Sequence, residues 1–237
     1  MIKKLIKMIL PNKIKKSLIL YKKQIRNFKI LALEYGQIKT IKYWQCIDKY
    51  GNNIPWFTYP TIEYLSHLDI SKYSIFEYGS GYSTLYWMNR AKEIVSIEHD
   101  KKWYEEIKLK INNKVILLPE EDPDKYVNVI TNFDKKFDIY IIDGKWRGEC
   151  AKKVVEHINR YGGGMVIFDN SDWYPKTIEF LRNTLDWIEV DFHGFGPIND
   201  YTWTTTIFIN RLLKLKYLIQ LQSVKNIKDV AEDDEIY

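Results

Sequence analysis

Residues able to do chemistry fall at three places in this sequence. The first is "IFEYGSGYSTLYW", Ile75 to Trp87, where Glu77, Gly79 and Gly81 stand between an apolar run and a helical pattern. Glycine at such a turn permits positive φ and lets a ligand approach the backbone closely. The third glycine of a dinucleotide fingerprint is missing, because Thr84 occupies its place. On the glycines alone, a nucleotide cradle and a plain strand-to-helix turn are equally good readings. The second place shifts that balance: Glu98 ends the next apolar run, near the spacing of about 20 residues at which an acid accepts hydrogen bonds from ribose hydroxyls. Glu77, the Gly79-Ser80-Gly81 turn and Glu98 together read as a nucleoside site.

The third place is a pair of stretches, "IIDGKWRGEC" and "MVIFDNSDW", which put Asp143 at the end of one apolar run and Asp169 with Asn170 at the end of another. If the two runs are adjacent strands, their oxygens meet on one rim, where neighbouring carboxylates call for a proton or a cation. Asp143, Asp169 and Asn170 suit magnesium or another hard divalent ion. A plainer reading stands beside it. Asp143 would contact a ligand or a helix end, while Asn170 or Asp172 caps the next helix.

These residues need a scaffold that brings strand ends together, and the hydrophobic pattern supplies one. Strand-like runs at 74–77, 93–98, 114–118, 137–143 and 164–169 alternate with helical patterns around 83–91, 101–110, 123–132 and 149–160. That alternation predicts βα units in a parallel sheet covered on both faces. After a helix near 175–186, "WIEVDF" and "YTWTTTIFIN" flank the turn-rich "HGFGPIND" and predict an antiparallel pair.

An acidic residue, x, Gly, x, Gly closing the first of five parallel strands, with an antiparallel pair at the end, resembles the class I S-adenosylmethionine-dependent methyltransferases. The likeness runs from about Trp56 to Arg211. It implies an α/β Rossmann-like seven-stranded sheet with the last strand antiparallel. It also implies that Glu77, Gly79, Ser80 and Gly81 face the methionine part of the cofactor, that Glu98 holds the ribose, and that Asp143 borders the same cofactor. Ser83 replaces a frequent third glycine, and Ser83 and Thr84 are placed to cap the following helix. Glu120 and Glu121 fall where this fold meets the adenine, or else belong to a solvated acidic loop.

The Asp143, Asp169, Asn170 set is similar to that of cation-dependent O-methyltransferases acting on small molecules and sugars. There the ion orients an acceptor hydroxyl and favours its deprotonated form. The general-base lysine of the catechol type would stand at Trp146; the nearest lysine here is Lys145. Asp143, Lys145 and His193, the last expected in the loop between the final two strands, are the candidate catalytic residues. Trp56, Tyr59, Trp146 and Trp173 form either an acceptor wall or ordinary core.

Composition narrows the remaining classes. The chain has 237 residues, 15% of them aromatic, so it buries a core and is not a disordered chain. Ten lysines and arginines precede the first acid, Glu34, so the formal charge of +5 divides into a strongly basic start and a mildly acidic body. Residues 1–53 read as a basic amphipathic helical extension, 54–211 as the methyltransferase domain, and 212–237 as a tail with the acidic run Glu232 to Glu235. The extension is either a helical cap, a peripheral membrane contact through residues 1–33, or an RNA contact. No run approaches a membrane span, and Cys46 and Cys150 form no ligand spacing. A cytoplasmic location is expected, at most peripheral to a membrane surface.

S-adenosylmethionine-dependent methylation of an oxygen on a small molecule or glycan precursor is therefore the leading reading. The alternatives are an RNA methyltransferase, disfavoured by the acidic body, and a non-catalytic module of the same fold that binds membrane or RNA through its basic arm.

Overall fold

A computed structural model describes residues 11–218. Its centre is a seven-stranded sheet of order β3-β2-β1-β4-β5-β7-β6. The strands are β1 (Ser74–Tyr78), β2 (Glu93–Glu98), β3 (Val115–Pro119), β4 (Ile139–Ile142), β5 (Met165–Phe168), β6 (Ile188–Gly194) and β7 (Trp203–Ile209). The first five are parallel, and β7 is antiparallel to both β5 and β6. The final antiparallel pair joins the sheet through its second strand: β7 lies between β5 and β6, and β6 forms the edge.

Alternation along the strands builds two cores. Phe76, Tyr78, Tyr140, Ile142, Val166 and Phe168 point to one face. Ile75, Ile139, Ile141, Met165 and Ile167 point to the other. Side chains of successive residues leave a strand on opposite sides, and both sides are covered, so the central strands are apolar throughout.

The helices, in chain order, are α1 (Asn12–Lys29), α2 (Gln37–Tyr43), α3 (Tyr59–Ser66), α4 (Tyr82–Met88), α5 (Lys101–Lys108), α6 (Pro123–Asn128), α7 (Arg147–Tyr161) and α8 (Pro175–Leu185). Asp100 caps α5 and Asp122 caps α6, each accepting a backbone N–H of the first turn. The first face packs against α6, α7 and α8 through Tyr126, Val154, Ile158 and Leu181. The second packs against α3 and α4 through Ile62, Leu65 and Trp87.

The change of composition at Ile54 does not coincide with a break in packing. Thr40 and Cys46 are fully buried. Gln37 Nε2 donates to the carbonyls of Gly196 and Asn199, and Thr40 Oγ1 accepts from Ile198 N at 2.8 Å, so α2 holds the β6–β7 loop. At the other end Tyr217 bridges to Leu68 beyond residue 211. The amphipathic pattern of residues 1–10 and the acidic run Glu232 to Glu235 lie outside the described residues.

Candidate functional site at the carboxyl rim of the sheet

Strands β1, β2, β4 and β5 end on one rim, as parallel register requires, and a cavity of about 520 Å³ opens there. Its wall includes Gly79, Ser80, Gly81, Glu98, Asp143, Lys145, Arg147, Asp169 and Asn170. Volume and position suit a small-molecule site at the switch point of an open α/β sheet, where strands β1 and β4 lie side by side and their connections leave in opposite directions.

The glycine turn is shaped by backbone packing. Gly79 has φ of +92°, and a Cβ there would lie 2.7 Å from Gly144 N. The loops after β1 and β4 therefore touch backbone to backbone, which neither could do with a side chain at Gly79. Gly81 is different: its backbone is extended, and an added Cβ would meet the Trp103 ring at 3.5 Å, an ordinary contact.

Glu98 is fixed as a finished receptor for the turn. Its Oε2 accepts from Ser80 N at 2.9 Å and from Ser80 Oγ at 2.7 Å, and its Oε1 accepts from Asp100 N at 2.9 Å. His99 Nδ1 lies 3.1 Å from the same Oε1, and both Glu98 and His99 line the cavity. Trp103 Nε1 closes the arrangement by donating to Ser80 O at 2.8 Å.

Glu77 is placed otherwise than the resemblance implies. It is fully buried and does not line the cavity. Its oxygens accept from the hydroxyls of Ser83 and Thr84, both at 2.5 Å, and of Ser96 at 2.7 Å. Thr84 Oγ1 in turn accepts from Gly81 N at 3.0 Å. Glu77 thus holds the glycine turn from behind. Thr84, third residue of α4, thereby caps the helix from within as a capping-box residue does, while Ser83 serves Glu77. Burial raises the Glu77 carboxyl to about 7; the three hydroxyls oppose the shift, and the charge of Asp143 adds to it.

At the tips of β4 and β5 the decisive residue is Arg147, the first residue of α7. Its Nη2 lies 2.9 Å from Asp143 Oδ1 and donates to Asp143 O. Its Nη1 donates to Asn170 Oδ1 at 3.0 Å and to Asp169 O, and its Nε donates to Gly144 O. All five guanidinium N–H groups are used. Asp169 Oδ1 accepts from Thr205 Oγ1 and Trp203 Nε1. The expected divalent-ion site does not fit this arrangement, because one oxygen of each of the three side chains is already taken by a donor and the cation among them is the guanidinium. Among the described residues no group of three or more His, Cys, Asp or Glu is placed to hold a metal ion.

Burial raises Asp143 to about 6, with Arg147 opposing and Glu98 adding to the shift. Burial and then the Asp143 charge push Asp169 well above the usual carboxylate range. The Thr205 and Trp203 hydrogen bonds and the Arg147 charge oppose that rise.

Other expected residues separate. Lys145 lines the cavity, its Nζ 5.4 Å from the Trp146 ring centre. His193 lies within β6, not in the following loop; it bonds Thr204 and Thr202 hydroxyls on an exposed face and is absent from the cavity wall. The strand extends further than the turn-rich sequence predicted because His193 and Gly194 still pair with Thr204 and Trp203 of β7. Glu120 and Glu121 are also off the wall. Of the aromatic set, Trp56 and Trp173 line the cavity; Tyr59 is core, and Trp146 packs on Tyr126 at 5.3 Å. Tyr82, His99, Trp103, Tyr201 and Trp203 also line the cavity and were not foreseen.

Solved structures similar to this one include a putative O-methyltransferase from Klebsiella pneumoniae, with TM-score 0.52 and 14% identity, covering 79% of this chain and 96% of that one. The chain has the class I methyltransferase fold. An O-methyltransferase from Streptomyces achromogenes involved in tomaymycin synthesis, in complex with SAM, matches with TM-score 0.48 and 14% identity over 62% of this chain and 75% of that one. No protein-family model and no curated protein matches the chain. In the methyltransferase fold described here, the cavity lies at the carboxyl ends of β1, β2, β4 and β5, and the β6–β7 loop supplies its outer rim through Asn199 and Tyr201.

Proposed function

We propose that the protein is an S-adenosylmethionine-dependent methyltransferase acting on an oxygen of a small molecule or glycan precursor. The observation that carries this reading is the pre-set Glu98 carboxylate at the end of β2, held at the cavity wall by Ser80 and Asp100 beside His99. The wall also carries Asp100, together with Asp143, paired with Arg147, and Asp169, held towards its protonated form. An acidic wall suits a cofactor bearing an ammonium and a sulfonium. When bound, the cofactor supplies an activated methyl group.

The chain's own residues then have distinct tasks. Glu98 accepts from the ribose hydroxyls, and Glu77 keeps the glycine turn in place through Ser83, Thr84 and Ser96. Arg147 ties the tips of β4 and β5 together, so the acceptor side of the cavity is formed before any ligand arrives. Trp56, Trp173, Tyr201 and Trp203 give the acceptor flat apolar surfaces, suited to an aromatic ring or the C–H face of a sugar. Lys145 stands on the same wall as the group available to meet a developing oxyanion. Rate enhancement comes mainly from positioning, because in-line displacement at an activated methyl gains most from near-attack geometry.

The test is a transfer assay with methyl-labelled cofactor against sugar nucleotides, phenols, lipids and RNA. Label appearing in an oxygen of a sugar or phenol supports the reading. Label appearing only in RNA would replace it with the alternative acceptor class.

A further inference from the structure

Helix α1 is not explained by the cavity. It has 18 residues, and not one is buried. Ile14, Leu18, Tyr21, Ile25 and Phe28 recur at the three- and four-residue spacing that puts them on one face of the helix. All five are exposed, Tyr21 at 71% and Phe28 at 67%. An amphipathic helix in a folded domain ordinarily buries such a stripe against its neighbours. Around the remainder of the helix stand Lys13, Lys15, Lys16, Lys22, Lys23, Arg26 and Lys29, with no acidic residue anywhere in α1.

We propose that α1 is a binding site for an anionic lipid surface, lying in the interface with its apolar stripe among the acyl chains and its lysines at the headgroups. Charge decides among the possible occupants. A second copy of the helix would bring its own basic face beside this one, with no acid on either to offset it. RNA would satisfy the lysines but would leave five large apolar side chains in water. An anionic bilayer satisfies both faces at once, which is the pattern of interfacial helices. No helix among the described residues is long and apolar enough to cross a membrane, so the contact is peripheral.

The placement of α1 gives this contact a route to the rest of the protein. It runs through Ile30–Glu34 into α2, whose Gln37 and Thr40 bond Gly196, Ile198 and Asn199 of the loop at the cavity rim. Lipid binding at α1 therefore takes place two short segments from the outer wall of the cavity. The proposal does not depend on methyl transfer and survives if the cofactor assignment fails.

The test is co-sedimentation of the full chain with vesicles of phosphatidylcholine alone and of phosphatidylcholine with phosphatidylglycerol. Binding to the mixed vesicles, weakening as salt rises through the range where the Debye length shrinks, is expected. Lys22→Gln with Lys23→Gln should lower the partition coefficient roughly 25-fold, since each basic residue near an anionic surface contributes about a fivefold factor. Leu18→Ser with Ile25→Ser should lower it at least as much at low salt, which electrostatics alone would not do. Because no residue of α1 is buried, both variants should keep the wild-type thermal transition, and a lost transition would show that the helix is structural and overturn the proposal. So would equal sedimentation with neutral and mixed vesicles, no sedimentation with either, RNA binding unaffected by the serine pair, or a dimer that the serine pair dissolves.

Discussion

Arg147 Nη2 lies 2.9 Å from Asp143 Oδ1, so the carboxylate ending β4 is paired with the first residue of the helix that follows it. The same guanidinium reaches the tip of β5 through Asn170, which makes it an internal cation at the place where the sequence alone suggested a metal.

Excess chelator should accordingly leave both the thermal transition and cofactor affinity unchanged, and added magnesium should not raise the transition as a specific ligand would. Arg147→Met should destabilise the fold by about 2 kcal/mol in denaturant titration, because it leaves the half-buried Asp143 carboxylate and the carbonyls of Gly144 and Asp169 without their donor. A magnesium-dependent rise in the wild-type transition would contradict this account of the rim.

Glu77 makes stability depend on pH. Its folded carboxyl lies at about 7, against 4.5 for the unreacted group. The folded state therefore keeps a proton that the unfolded chain gives up. The resulting stabilisation is complete below pH 4.5 and is lost as pH rises through about 7. The size of the shift corresponds to roughly 3 kcal/mol. Asp143, raised from 3.8 to about 6, acts in the same direction at lower pH. The comparison to make is between wild type and Glu77→Gln: denaturant stability of the wild type should fall more steeply over this window, and parallel profiles would remove Glu77 as the cause.

The two glycines of the motif should behave unlike each other. Gly79→Ala combines a left-handed φ with a Cβ 2.7 Å from Gly144 N, and should cost at least about 2 kcal/mol. Gly81→Ala has an extended backbone and an ordinary contact with Trp103, and should cost under about 1 kcal/mol. Equal losses in the two unfolding curves would mean that the Gly79–Gly144 contact is not what shapes the turn.

His193→Ala should change neither cofactor affinity nor thermal stability by a measurable amount, because the ring bonds only Thr202 and Thr204 hydroxyls on an exposed face. Calorimetric titration of the variant checks this directly.

The fold was largely legible because its signal is repetitive. Five apolar runs alternate with helical patterns, and each run becomes a parallel strand within a residue or two of its expected ends. What the pattern does not carry is which neighbour a strand selects. The insertion of β7 between β5 and β6 depends on three-dimensional packing, and so His193, on the far part of β6, leaves the site. The cavity rim was legible where position at a strand end decides, as for Glu98, Asp143 and the glycine turn, all of which line it. It was misjudged where a side chain's orientation decides. Glu77 faces three hydroxyls from Ser83, Thr84 and Ser96, and only their convergence in space shows that it braces the turn instead of lining the cavity. The metal reading lacks support for a similar reason: the sequence shows three oxygen donors but not that Arg147 is folded in among them.

The central claim is that the Glu98 carboxylate at the rim receives the ribose of S-adenosylmethionine. Titration calorimetry of the wild type and Glu98→Ala with S-adenosylmethionine and its demethylated product tests it most directly. The account predicts that the wild type binds both ligands and that the substitution weakens each by about 1.5–3 kcal/mol, the range for a hydrogen bond to a charged partner. Absence of binding to the wild type, or undiminished binding to Glu98→Ala, would contradict it.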